Sequence, residues 1–159
     1  MKTLVLFLFC GAWLTQASAQ SADESSIKAL LEKQTKAGLT RDAAGMIQTW
    51  ANVPYASRLV SLPTGKVVFY TNEDLTQPQQ ISQMVSRSPG EASEFTHTDY
   101  QVRINGASAF VTFISTVSKA DGQKQYAHEV RYLEKLQQAW KVVHASQVFY
   151  TPAPDQARR

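Results

Sequence analysis

Glu129, Arg131, His144 and Ser146 fall within the stretch from Tyr126 to Tyr150, at spacings that a β-hairpin brings to one otherwise apolar face. A few polar groups converging on an apolar wall is the usual make-up of a small-molecule pocket. The Arg131 guanidinium is suited to a two-point contact with a carboxylate, sulfate or phosphate. It is equally suited to an internal ion pair with Glu129, two positions away on the same strand face. The two roles coexist if a ligand competes for the pair. His144 is a candidate proton shuttle near neutral pH when Glu129 orients it, and equally a histidine satisfied by its neighbours. Tyr100 is a candidate hydrogen-bond donor to a developing oxyanion.

These side chains share a face only if three hairpins hold their registers. Runs at about 94–104, 108–119, 123–135 and 140–149 are separated by Asn105-Gly106, Ala120-Asp121-Gly122 and Gln137-Gln138. A two-residue Asn105-Gly106 turn sets Ile104 opposite Ala107, Val102 opposite Ala109 and Tyr100 opposite Val111. A three-residue loop with Gly122 left-handed sets Ser115 opposite Ala127 and Val111 opposite Arg131. A two-residue Gln137-Gln138 turn sets Arg131 opposite His144. One face then carries Thr98, Tyr100, Val102 and Ile104; Ala109, Val111, Phe113 and Ser115; Ala127, Glu129, Arg131 and Leu133; and Trp140, Val142, His144 and Ser146. The other carries Phe110, Thr112, Ile114, His128, Val130, Tyr132, Lys141, Val143 and Ala145, with His97 on the same side. Its centre is too apolar to face water, which points to a symmetric homodimer or to strands that curl over it.

Helical periodicity precedes the strands. Ile27, Leu30 and Leu31 mark a first helix with Ser25 as N-cap and Gly38 as its stop; Ala43, Met46, Ile47 and Trp50 mark a second behind Thr40. A short hairpin is expected from Arg58 to Tyr70, turning at Pro63-Thr64-Gly65-Lys66. A third helix is expected from Pro78, with Ile81, Met84 and Val85 inward and Ser88-Pro89-Gly90 as its end. Trp50 and Tyr55 are placed to form the mouth or lid of a pocket, although Trp50 on its apolar stripe equally reads as core.

At the N-terminus, Met1-Lys2 and an apolar run from Leu4 to Leu14 lead to Ala17-Ser18-Ala19, the small-x-small form of a signal-peptidase site. Residues 1–19 are read as a signal peptide, with the exported protein starting at Gln20 and placed in the periplasm or outside the cell. The apolar run is shorter than the roughly 20 residues that span a bilayer. Cleavage removes Cys10, the one cysteine of the chain, and lowers the formal charge from +3 to +2. What remains, 20–151, is long enough for one domain with a substantial core, followed by a tail at 152–159. The cations are scattered, which gives no nucleic-acid footprint, and no membrane association is expected after cleavage. Phosphate loops, serine elbows and dinucleotide fingerprints are absent, as are H-x-H and H-E-x-x-H spacings. No cofactor and no metal are implied.

Helix, helix, short hairpin, helix and four long strands, closing on Trp140-Lys141-Val142-Val143-His144-Ala145-Ser146, resembles the nuclear transport factor 2-like superfamily. That superfamily includes SnoaL-like cyclases, ketosteroid isomerases and the association domain of calcium/calmodulin-dependent kinases. Glu129-Val130-Arg131-Tyr132 followed by Trp140-Lys141-Val142-Val143-His144 is similar to the E-x-R-x-W and W-x-x-V-H elements of the association domains. The resemblance implies an α+β conical barrel, three N-terminal helices on a strongly curved antiparallel sheet, with a cavity at the wide end and commonly a dimer. Ser115 stands where association domains carry another arginine, and the isomerase acids facing a tyrosine have no residue-by-residue match. The expected function is an exported protein that binds a small, partly apolar, anionic molecule through Arg131, His144, Glu129, Tyr100, Ser146, Ser115, Trp50 and Tyr55. The alternatives are a SnoaL-like isomerase, cyclase or dehydratase using His144 and Glu129 as acid and base, with Tyr100 assisting, or an oligomerisation module without ligand.

Overall fold

A computed structural model describes residues 10–86, 92–119 and 121–152, with side chains from residue 20 onward except at 92 and 93. The first nine residues of the expected leader, the expected Ser88-Pro89-Gly90 stop and most of the expected tail lie outside the described residues. The elements in order are α1 (Cys10–Leu39), α2 (Ala43–Thr49), β1 (Ser57–Ser61), β2 (Val67–Tyr70), α3 (Asn72–Thr76), α4 (Pro78–Ser86), β3 (Ala92–Asn105), β4 (Ser108–Lys119), β5 (Lys124–Leu136) and β6 (Ala139–Tyr150). The strands form one sheet in the order β2-β1-β6-β5-β4-β3, antiparallel except where β1 runs parallel to β6. The helices cover one face of it.

Helix α1 is continuous through Ser25, whose hydroxyl donates back to the Ser21 carbonyl rather than capping a helix start. Ile27, Leu31, Gln34 and Ala37 form its buried stripe. Its first tertiary anchor is Asp23, where one carboxylate oxygen accepts from Lys135 Nζ at 2.7 Å and Trp140 Nε1 at 2.9 Å. Gly38 is not the helix stop: a Cβ there would sit 3.2 Å from Met46 Cε, so glycine lets α2 pack close. The next helix is capped by Asp42, not Thr40; the Asp42 carboxylate accepts from the Gly45 N–H at 2.8 Å. The short α3, absent from the sequence reading, starts at a Thr71–Asp74 capping box in which the Asp74 carboxylate accepts from the Thr71 N–H at 2.8 Å.

The β4–β5 register is the expected one, with Val111 opposite Arg131, Ser115 opposite Ala127, and Gly122 left-handed at φ +81°. The β3–β4 turn moves on by one residue, with Gly106 and Ala107 at its corner. Ile104 therefore faces Ala109 rather than Ala107, and Val102 faces Val111. That slip is even, so the faces of Val102 and Ile104 are unchanged.

Besides a register shift at the start of β3, between Ala92 and Glu94, two β-bulges alter the faces of the candidate site residues. On β3, Thr98 pairs with Ile114 but Gln101 with Thr112, so Asp99 and Tyr100 stand against Phe113 alone, with Asp99 left-handed at φ +55°. On β6, Tyr132 pairs with His144 but Leu133 with Val142, so Val143 is the extra residue. Each bulge shifts the alternation by one. His97 turns to the helix-covered side and Thr98 leaves it, while His144 and Ser146 leave and Ala145 and Gln147 enter. The expected pairing of Arg131 with His144 is replaced by Arg131 with Ala145.

Candidate functional site

Strand β5 has a long partner on each side, which fixes Glu129 and Arg131 on the helix-covered face two residues apart. Both are buried, with relative exposures of 3% and 6%. Arg131 Nη1 donates to Glu129 Oε2 at 2.8 Å, to the Val130 carbonyl at 3.0 Å and more weakly to the Ser146 carbonyl at 3.4 Å. Its Nε donates to Gln34 Oε1 of α1 at 3.2 Å, and the guanidinium lies 5.5 Å over the Phe113 ring. Among the described residues, the Arg131 hydrogen bonds run through Nε and Nη1, and Nη2 is not among the buried groups left without a partner. The internal ion pair is therefore made, and it uses one side of the guanidinium fork.

The other carboxylate oxygen leads to a second arginine that sequence reasoning missed. Glu129 Oε1 accepts from Gln147 Nε2 at 2.7 Å, and Gln147 Oε1 accepts from Arg58 Nη2 at 2.9 Å. Arg58 is on β1 and reaches this face because it pairs with Ala145. Its guanidinium lies 5.9 Å from the Tyr70 ring and 3.6 Å from Met84 Sδ. Burial, then the nearby Arg131 charge, lowers the Arg58 pKa from its ordinary value. Arg58 thus reaches the carboxylate through Gln147, and two guanidinium groups with one carboxylate leave a surplus positive charge. On the far side, Gln34 Nε2 donates to the fully buried Thr49 hydroxyl at 3.1 Å, which in turn donates to the Met46 carbonyl at 2.7 Å. Only the parallel β1–β6 pairing, which no local turn announces, could have revealed Arg58.

The imidazole that shares this face is His97. It lies 4.6 Å from the Phe113 ring, with Nδ1 2.8 Å from the Tyr100 hydroxyl and Nε2 3.0 Å from the Thr35 hydroxyl of α1. Burial depresses its pKa to about 4, so the ring is neutral at physiological pH. A neutral ring donates through one nitrogen and accepts through the other, making Thr35–His97–Tyr100 a one-way hydrogen-bond chain. Tyr100 stacks on Phe113 at 5.0 Å, and burial followed by the Glu32 charge pushes its phenol up to about 12. Ser115 is buried on the same face, opposite His97.

The remaining expected residues lie elsewhere. His144 is on the uncovered face, opposite Tyr132, with Nδ1 2.9 Å from the Ser57 hydroxyl; burial, then Arg131, lowers its pKa. Ser146 faces the same way and meets Arg131 only through its carbonyl. Trp50 is core at 4% exposure, with its indole N–H unpartnered, and is not a lid. Tyr55 is 59% exposed and donates to Glu134 on the uncovered face at 3.0 Å, away from the arginines. Glu129, Arg131, Tyr100 and Ser115 are together; His144, Ser146, Trp50 and Tyr55 do not join them. A surface hollow of about 470 Å³ opens between α1 and the β5–β6 turn, lined by Asp23, Lys33, Lys135 and Trp140, and is separate from this cluster.

Solved structures share this architecture. A protein of unknown function with a cystatin-like fold from Nostoc punctiforme superposes with a TM-score of 0.65 at 13% identity, covering 84% of this chain and 95% of that one. A nuclear transport factor 2-like protein of unknown function from Pseudomonas putida gives a TM-score of 0.66 at 16% identity, covering 86% and 92%. A structure from Exiguobacterium sibiricum, named for the calcium/calmodulin-dependent kinase II association domain, gives 0.59 at 14% identity, covering 83% and 96%. The chain has the nuclear transport factor 2-like fold. No family model matches the sequence, and no curated protein does. At these identities the likeness extends to the fold, and within that fold the buried Glu129–Arg131 pair with the half-buried Arg58 beside it is a feature of this chain with chemistry to offer.

Proposed function

We propose that this is an exported protein that binds a small, partly apolar, anionic molecule at the arginine-bearing end of the helix-covered face. One observation carries the reading: two guanidinium groups stand near a single buried carboxylate. Two guanidinium groups near one carboxylate leave one positive charge over, so an acidic group drawn to the pair is held by charge as well as by contact. Tyr100, stacked on the buried Phe113, and Tyr70 supply partly exposed aromatic surface near the two arginines. In this reading Arg131 holds the acid, Arg58 adds the second cation, and Glu129 and Gln147 set the orientation of both. Native mass spectrometry of the mature protein, with release of any retained molecule, tests it. A bound organic acid lost in Arg131→Lys supports the reading. Lysine keeps a positive charge beside Glu129 but loses the planar fork, so an identical retained molecule in both proteins opposes it.

The acid/base alternative, using His144 with Glu129, loses its pair because the β6 bulge puts the imidazole across the sheet. A second reading concerns assembly. Val67, Phe69, Phe110, Tyr132, Val148 and Tyr150 are exposed large apolar or aromatic side chains on the uncovered face. We propose that a second copy covers this face to form a homodimer. Sedimentation velocity should show a dimer that dissociates in Phe110→Glu. A monomeric wild-type protein at micromolar concentration removes that reading and leaves the ligand proposal standing.

A further inference from the structure

We propose that the exported chain ends in pyroglutamate, formed from Gln20. The inference rests on cleavage after Ala19, part of the export reading above, and adds a covalent modification at the terminus that cleavage creates. Once Gln20 is the first residue, its α-amino nitrogen attacks the side-chain Cδ. The new N–Cδ bond closes a lactam, the Cδ–Nε bond breaks, and Nε leaves as ammonia carrying the proton given up by the amine. No oxidant or second reactant is needed.

The Gln20 side chain is open to solvent. Gln20, Ser21 and Ala22 are all exposed, and among the described residues no side-chain hydrogen bond or ion pair holds Gln20. The first residue tied to the domain is Asp23, through Lys135 and Trp140. Three residues therefore stand ahead of the anchor, in a helical first turn whose N–H groups have no partners of their own and which frays readily. Charge favours the same outcome. An α-ammonium at the new start of α1 would face the positive end of the helix dipole, and lactam formation removes that charge.

Intact mass and terminal sequencing of the protein recovered from the exported fraction decide the matter. The expected mass is that of residues 20–159 less one ammonia, with a terminus closed to amine reagents and opened by pyroglutamyl aminopeptidase to expose Ser21. Gln20→Ser should give the full calculated mass and a free amine. A chain starting at Gln20 with a free amine overturns the lactam and leaves export intact. A chain that retains residues 1–19 overturns both, and the two failures differ in mass.

Discussion

His97 and His144 are both half-buried imidazoles with hydroxyl partners at about the same distance, yet they lie on opposite faces of one sheet. His97 is locked between Thr35 and Tyr100 against Phe113, on the side that holds the arginines. His144 touches Ser57 on the side the helices leave open. Neither position follows from simple alternation along its strand. One extra residue in β3 and one in β6 exchange the two histidines, so the composition of the polar centre is set by bulges more than by the spacing of the residues that fill it.

The largest effect expected from testing that contrast is at the shared counter-ion. Glu129→Gln leaves Arg58 and Arg131 facing each other without a carboxylate, and a loss of about 3–5 kcal/mol is expected in denaturant unfolding. A loss below 1 kcal/mol would mean that water already solvates the two arginines. Next comes His97→Ala, which strands the Tyr100 and Thr35 hydroxyls and opens space beside Phe113. It should cost about 1–3 kcal/mol. On the open face, His144→Ala should cost only about 0.5–1.5 kcal/mol, the worth of one ordinary hydrogen bond. If the order of the two histidine variants reverses, the exchange of faces is wrong.

The pH dependence sharpens the same contrast. With its folded pKa near 4, His97 binds fewer protons folded than unfolded at any pH between that value and the ordinary 6.5. Its contribution to stability is present above about 6.5 and is lost as pH falls through 4. Unfolding free energy should therefore decline with acidification across that window, and His97→Asn should flatten the slope more than His144→Asn does. Equal slopes in wild type and His97→Asn would show that the imidazole titrates elsewhere.

Much of the scaffold was legible in the chain. The β4–β5 register followed from Gly122, whose left-handed conformation closes the expected three-residue loop, and it fixed Glu129 and Arg131 on the covered face. Helical stripes through Ile27 and Leu31, through Met46 and Trp50, and through Ile81, Met84 and Val85 are buried as their spacing requires. The bulges were harder to see because an inserted residue leaves a strand-like composition on both sides. Each nonetheless carries a local mark. Asp99 belongs to a residue type that tolerates the left-handed conformation, and the consecutive Val142 and Val143, both buried, break strict alternation. Arg58 lay beyond such reasoning, because its place depends on a parallel pairing between strands far apart in sequence.

Thermal unfolding in the presence of small aromatic and aliphatic carboxylates, comparing wild type with Arg131→Lys at one pH and ionic strength, addresses the arginine centre most directly. A ligand that binds only the folded state raises the midpoint as its concentration passes the dissociation constant. The wild-type midpoint should rise with at least one carboxylate and not with the matching neutral amide, and the rise should shrink in Arg131→Lys. A midpoint unmoved by every carboxylate, or raised equally in both proteins, would contradict anion binding at Arg131.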